Sequence, residues 1–264
     1  MDSLKEHFQT SNEAGRMKQI ASMMLRSNNK LLPINYISSN QSKQTKLNLY
    51  DRNSVLQSIY KKDTTLCFSF LSNNIGYINI KTIKEDNIEL IKSVFKNTNG
   101  IIIDLRNYPS YFFPFSLSSY FVSSNTPFAK WTVGNPDNPG EFTFTSSSVT
   151  PKSDDTYQGK LVLLVNEDTQ GQVEYMAMMF QAGNKTTVIG SQTSGANGFI
   201  SQITLPGGLK TNITGVGVYY PDGRQTQRVG IIPDIIVKPT IKGILEGRDE
   251  LLEKAIEIIK HAKK

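Results

Sequence analysis

The sequence predicts an α/β fold, and three observations predict it. Short runs dense in β-branched residues, GIIIDL (100–105), KLVLLV (160–165) and TTVIG (186–190), read as buried strands. Segments with apolar residues at spacings of three and four read as amphipathic helices. The two patterns alternate along the chain, as they do where helices pack on a sheet.

From the N-terminus, Ser11 or Asn12 caps a helix whose apolar face is Ala14, Met17, Ile20, Ala21, Met24 and Leu25. Two extended runs follow, LLPINYIS and TKLNLY, joined by the polar turn SNQSKQ. One helix and a hairpin make a thin core, so residues 1–62 read as the C-terminal part of a domain that begins upstream of Met1. TLCFSFL and IGYINI flank the turn Ser72-Asn73-Asn74, and a helix over 85–97 presents Ile88, Ile91 and Phe95 on one face. Residues 107–157, rich in aromatics, Ser, Pro and Asn, are expected to be irregular with edge strands. KLVLLV runs through the loop NEDTQ into a helix, GQVEYMAMMFQA, with Val173, Met176, Ala177 and Phe180 facing inward. Residues 199–220 alternate as a hairpin does. A helix over 248–262 closes the chain on a stripe of Leu251, Leu252, Ala255, Ile256 and Ile259.

Composition excludes several classes. The formal charge of +6 belongs to residues 1–62, which carry 10 Lys/Arg against 4 Asp/Glu; the remainder carries 19 of each. These charges are scattered rather than interleaved with aromatics, so a solvated face is expected and no nucleic-acid partner. The longest apolar runs, such as Leu161 to Val165, are too short for a membrane span. Lys5, Glu6, Arg16 and Lys18 interrupt any secretory apolar region. Cys67 is alone, which rules out an internal disulfide and marks it as a packing residue. His7 and His261 stand at opposite ends as surface residues and the carboxylates are dispersed, so neither a metal nor another cofactor is implied. The sequons at Asn184 and Asn212 are short, unspecific patterns, and oligomeric state is not legible.

The unit with chemical potential is the strand–loop–helix from Leu161 to Phe180. A strand that turns sharply into a helix presents unpaired amides at the sheet's edge, where the helix dipole favours a developing oxyanion. Hydrolases place nucleophiles at such elbows.

The residues of this unit, LVLLVNEDTQGQVEYMAMMF, resemble the nucleophile segment of the tail-specific (C-terminal-processing) serine peptidases, which include the tricorn core. The pattern there is a buried strand, Asn, a short loop, Ser, two small or polar residues, then Glu on a helix. Asn166 and Glu174 match it, and the nucleophile position falls on Gly171. GIIIDLRNYPS, TTVIGSQTSGANG, the pair YYPDG and VGIIPDIIV, and GRDELLEKAIEII look like four further family segments in the family's order, together covering roughly residues 75–260. Residues 11–50 look like the tail of the family's PDZ-like domain. The resemblance implies a crotonase/Clp-protease-like spiral of strands and helices over 63–264 and a PDZ-like fragment over 1–62. It also implies a peptide or protein substrate, no cofactor, and a family that is usually exported.

The resemblance also implies roles, and the chain departs from several of them. Gly171 has no hydroxyl. Ala196 stands where processing-type enzymes place a lysine general base, and Gln227 where the tricorn-type branch places an orienting glutamate. The oxyanion donors fall on the Gln172 amide and on Ser110-Tyr111, where the family has Gly-Gly. Asn166, Thr169, Glu174, Asp104 and Arg106 fall on supporting positions; Asp104 and Arg106 are expected to form a structural ion pair. Glu174 either offsets the helix dipole or orients the active-site loop. Losing a serine nucleophile costs about 10⁶ in kcat, and neither Thr169 nor Ser194 is a ready replacement. The expectation is therefore a serine-type peptidase domain that does not hydrolyse peptides. The alternatives are a peptide-binding pseudoenzyme and a crotonase-like acyl-CoA enzyme, for which no adenine-binding or acid–base constellation is visible.

Overall fold

The structure, a computed structural model, describes residues 2–59, 65–153, 155–183 and 185–262. The expected boundary between residues 62 and 63 and the sequon at Asn184 lie outside the described residues. The chain divides into an N-terminal unit, Met1–Gln9 with Arg16–Thr65, and a core unit, Thr10–Gly15 with Leu66–Lys264.

The N-terminal unit holds α1 (Asp2–Lys5), most of α2 (Glu13–Met23), β1 (Leu31–Ser38), β2 (Gln41–Asn48) and α3 (Arg52–Ile59). Asn12, not Ser11, caps α2: its Oδ1 accepts the Gly15 amide at 2.9 Å. Ile20 is fully buried, but the helix ends at Met23, so Met24 and Leu25 of the expected face are exposed. The turn joining β1 to β2 is tighter than the expected SNQSKQ. Ser38 pairs with Gln41, and only Ser39 (φ 51°) and Asn40 (φ 61°) lie between the strands. Two left-handed residues make the turn whose twist matches an antiparallel pair, so Gln41 to Gln44 join the ladder.

The core unit is built on a six-stranded sheet that also contains β3 (Phe68–Leu71), β4 (Ile75–Asn79), β5 (Gly100–Asp104), β8 (Lys160–Val165), β9 (Thr186–Gly190) and β13 (Ile235–Ile236). Its order is β13-β9-β8-β5-β4-β3, parallel throughout except for β3 against β4. The β-branched runs bury alternate residues on opposite faces. Ile101, Ile103, Leu161, Leu163 and Val165 join one core, under α4 (Asn87–Phe95), α5 (Pro114–Ser118) and α6 (Gln172–Gln181). Ile75, Ile102, Val162, Leu164 and Ile189 join another, covered by α8 (Glu250–His261) through Leu251, Ala255 and Ile259. Leu252 and Ile256, the rest of the expected stripe, are only partly buried. A short helix, α7 (Ile241–Leu245), precedes α8. Cys67 is buried and free, and His7 and His261 are exposed.

Residues 107–157, expected to be irregular with edge strands, do contain strands but are more regular than that. They contain α5 and a long antiparallel pair, β6 (Thr126–Gly134) and β7 (Phe142–Val149), which β12 (Val218–Tyr219) extends to three strands. Alternating Thr and aromatic residues such as FTFT supply the strand pattern that the Ser and Pro content masks. The expected hairpin is β10 (Phe199–Thr204) against β11 (Lys210–Val216), and every residue of β10 is exposed. Among the described residues, no helix is long and apolar enough to cross a membrane.

Candidate active site

The site begins where β8 ends. The Asn166 carbonyl accepts the Thr169 amide at 3.0 Å, and the Asn166 side chain accepts the Asp168 amide at 2.9 Å. Thr169 is fully buried; its hydroxyl donates to the Leu105 carbonyl at 2.8 Å and accepts the Asn166 amide at 3.1 Å. The loop is thereby tied to the end of β5, and Thr169 is a brace with no free hydroxyl. Ser194 is committed in the same way, donating to the Glu167 carbonyl at 2.6 Å.

Gly171 caps α6 with φ 56° and ψ −114°, a conformation that L side chains rarely adopt. A Cβ built there meets only the Ala196 carbonyl oxygen, at 3.6 Å, so the elbow is open on its outer side. The Gln172 amide, at the first helical position, has no acceptor among the described residues.

Glu174 organises what surrounds this elbow. It is fully buried and accepts the amides of Gly171 at 2.8 Å, Gly195 at 2.7 Å and Ala196 at 2.9 Å, together with the Thr193 hydroxyl. Burial holds its carboxyl pKa above the ordinary value, against the downward pull of these hydrogen bonds. The Thr193 oxygen also accepts the Ile231 amide at 2.7 Å. Glu174 stands one turn into α6 and fastens the 193–196 loop to the helix start. Gly195 permits this at φ 65°, where a Cβ would come within 2.8 Å of the Arg228 backbone and the Asn12 side chain. The Asn12 side chain in turn donates to the Thr193 carbonyl at 2.8 Å.

Gly171, Gln172 and Ala196 open onto one groove of about 570 Å³. Tyr108, Phe112, Phe115, Trp131, Tyr175 and Phe199 give it a largely aromatic wall. Trp131 stacks on Phe199 with centroids 5.2 Å apart, and its buried indole N–H has no acceptor among the described residues. The Tyr108 hydroxyl donates to the Gln172 side chain at 3.0 Å. Ser110 and Tyr111 do not line the groove. The Ser110 hydroxyl donates to the Ile83 carbonyl at 2.6 Å, and Tyr111 hydrogen-bonds Glu85. Gln227 packs its amide over Gly198, at the groove's margin.

Asp104 and Arg106 lie outside this groove. Arg106 bridges two carboxylates: Asp104 at 2.6 Å, at the end of β5, and Asp249 at 2.7 Å, the cap of α8. The Tyr77 hydroxyl adds a bond to Asp104 at 2.8 Å. Asp249, Tyr77, Thr193 and Asn12 were not singled out from the sequence for these contacts, since partners so distant along the chain leave no local spacing. Among the described residues no group of three or more His, Cys, Asp or Glu is placed to hold a metal ion.

Against this geometry stands one sequence match: residues 115–237 fit the description of peptidase family S41. This segment is similar to an S41 peptidase domain. It contains Gly171, Glu174, Ala196 and Gln227. Solved structures share the S41-type mixed α/β fold. Mature CPAF complexed with lactacystin aligns with a TM-score of 0.74 at 13% identity, over 99% of this chain and 76% of that one. A candidate peptidase from Parabacteroides merdae aligns with a TM-score of 0.68 at 20% identity, over 87% and 78%. No protein of curated function matches the chain in sequence.

Proposed function

We propose that this S41-like domain holds an extended peptide in the aromatic groove and does not cleave it. The observation that carries the reading is Gly171: the elbow that would present a nucleophile presents none. The nearby hydroxyls of Thr169 and Ser194 are spent on carbonyls. Ala196, across from the elbow, supplies no base. The binding apparatus is nonetheless present, with an unpaired Gln172 amide and aromatic faces for apolar side chains. Without an activated nucleophile, what remains of catalysis is binding and oxyanion stabilisation.

In the same reading, residues 1–62 are part of a PDZ-like domain and residues 63–264 are the peptidase core, wound as a crotonase-like spiral. The test pairs two measurements on the unmodified chain. A fluorophosphonate that labels active serines is expected to leave it unlabelled, and a fluorescent peptide with apolar side chains is expected to bind saturably. Trp131→Ala should weaken that binding. Labelling at the groove, or steady release of cleaved peptide, would sink the proposal.

A further inference from the structure

The opposite end of the core sheet carries a second, larger cavity of about 1050 Å³. It is bordered by the residues that lead into β4, β5, β8 and β9 and by the last turn of α8. Four lysines far apart in sequence meet there: Lys96, Lys160, Lys185 and Lys260. The remaining lining is neutral, with side-chain amides such as Asn97 and Gln158 and no carboxylate among the described residues. Lys96 pairs with Asp155 at 2.7 Å, on the exposed rim. Lys185 donates to the Gln158 carbonyl at 2.6 Å, which holds its ammonium in place without neutralising it. Lys160 and Lys260 make no ion pair among the described residues. Lys160 is half-buried, and burial lowers its pKa from the ordinary value while the Asp234 carboxylate pulls it back up.

Among the described residues, Lys185 and Lys260 face no carboxylate at ion-pair distance and Lys160 has only the longer-range field of Asp234, so the positive charge of this concave space is largely uncompensated. Like charges in a concave site reinforce one another's field, and at physiological salt that field acts over about 8 Å. A monovalent anion would leave most of it unanswered. A single phosphate would leave most of the volume empty, whereas molecules the size of a nucleotide or an inositol phosphate match both charge and space.

We infer that this cavity is a binding site for a compact polyanion carrying several phosphate groups. The lysines supply charge-assisted hydrogen bonds to phosphate oxygens, and the Asn97 side-chain amide adds a neutral donor between them. The inference does not depend on whether the aromatic groove cleaves or only holds peptides, because the two sites share no residue.

The test is calorimetric titration of the full chain with inositol hexakisphosphate and with inorganic tripolyphosphate, alongside sulfate at equal ionic strength. Saturable binding of the polyphosphates, accompanied by a raised Tm, is expected, with little effect of sulfate. Lys160→Gln with Lys260→Gln should weaken binding by about tenfold per lysine. Lys260→Glu, in the exposed last turn of α8, provides a second variant that leaves the core untouched. Lys254→Gln, elsewhere on α8, should change nothing. Flotation with phosphatidylcholine vesicles, with and without a phosphoinositide, separates the sources. Capture only by phosphoinositide vesicles assigns the phosphates to a lipid headgroup, and equal binding of free inositol phosphate assigns them to a soluble ligand. An equal response to sulfate, or affinity unchanged in both lysine variants, overturns the assignment.

Discussion

Asp104 and Glu174 are both buried carboxylates of the core unit, and they are satisfied in opposite ways. Asp104 faces a cation: the Arg106 guanidinium joins it to Asp249, so one charged fork ties the end of β5 to the start of α8. Glu174 faces neutral donors, three backbone amides and one hydroxyl. The first arrangement fastens scaffold to scaffold. The second fixes individual peptide groups of the 193–196 loop against Gly171, and so determines where the groove's floor lies. A cation in that place would have put a positive charge beside the elbow; neutral donors set its geometry without one.

The largest test of this contrast is Glu174→Gln. An amide there turns an N–H toward donors that need an acceptor, at a fully buried position. Stability should fall by about 3 kcal/mol, read by urea unfolding, and the Gly195 and Ala196 amides should exchange hydrogen faster than the rest of the core. A loss below about 0.5 kcal/mol, the range of ordinary surface substitutions, would show that the cluster does not hold the loop. Arg106→Met leaves Asp104 buried beside a neutral group and should cost a similar amount, about 3 kcal/mol. Here the double variant Asp104→Leu/Arg106→Met should recover much of the loss, as removing both halves of an ion pair does and removing one does not. Persistence of the full loss in the double variant would assign the cost to packing.

A smaller effect is expected for Gly171→Ser. The site has room for a Cβ, but the left-handed φ should cost about 1 kcal/mol. No peptide hydrolysis should appear, because Ala196 leaves the new hydroxyl without a base. Hydrolysis by that single variant would reveal a base elsewhere in the groove. The smallest effect concerns acid. Burial alone would raise the Asp249 carboxyl, but hydrogen bonds from Arg106 and the Leu252 amide bring it below its ordinary 3.8. A group depressed in the folded state stabilises above its unfolded value and loses that contribution as pH falls through the folded one. Asp249→Asn should therefore flatten the acid-unfolding limb below pH 3.8, modestly, since this side chain is partly exposed.

What the sequence disclosed follows from the range over which each contact acts. β5, β8 and β9 announce themselves because both of their faces are buried, which leaves an unbroken β-branched run. The elbow is legible because Asn166, Gly171 and Glu174 sit within nine residues, and the Ala196 segment has its own glycine pattern. The partners of Arg106 and Glu174 are different. Asp249 lies 143 positions from Arg106, and Gly195 lies 21 from Glu174. Neither bond depends on a local spacing, so neither can be read from one. The β6–β7 ribbon was obscured for another reason. Its strands use Thr and Ser on exposed faces, and in a composition count those residues look like loop.

α8 has a consequence for how the protein is made. It packs through Leu251, Ala255 and Ile259 on one face of the core sheet, and it is translated after β9. Until Leu251, Ala255 and Ile259 are translated, Ile102, Val162 and Ile189 remain an uncovered apolar surface on the nascent chain. At about 5–20 residues per second, that interval lasts several seconds after β9 is complete. A message cut short before α8 should therefore yield an aggregating product with an unfinished core rather than a smaller working domain.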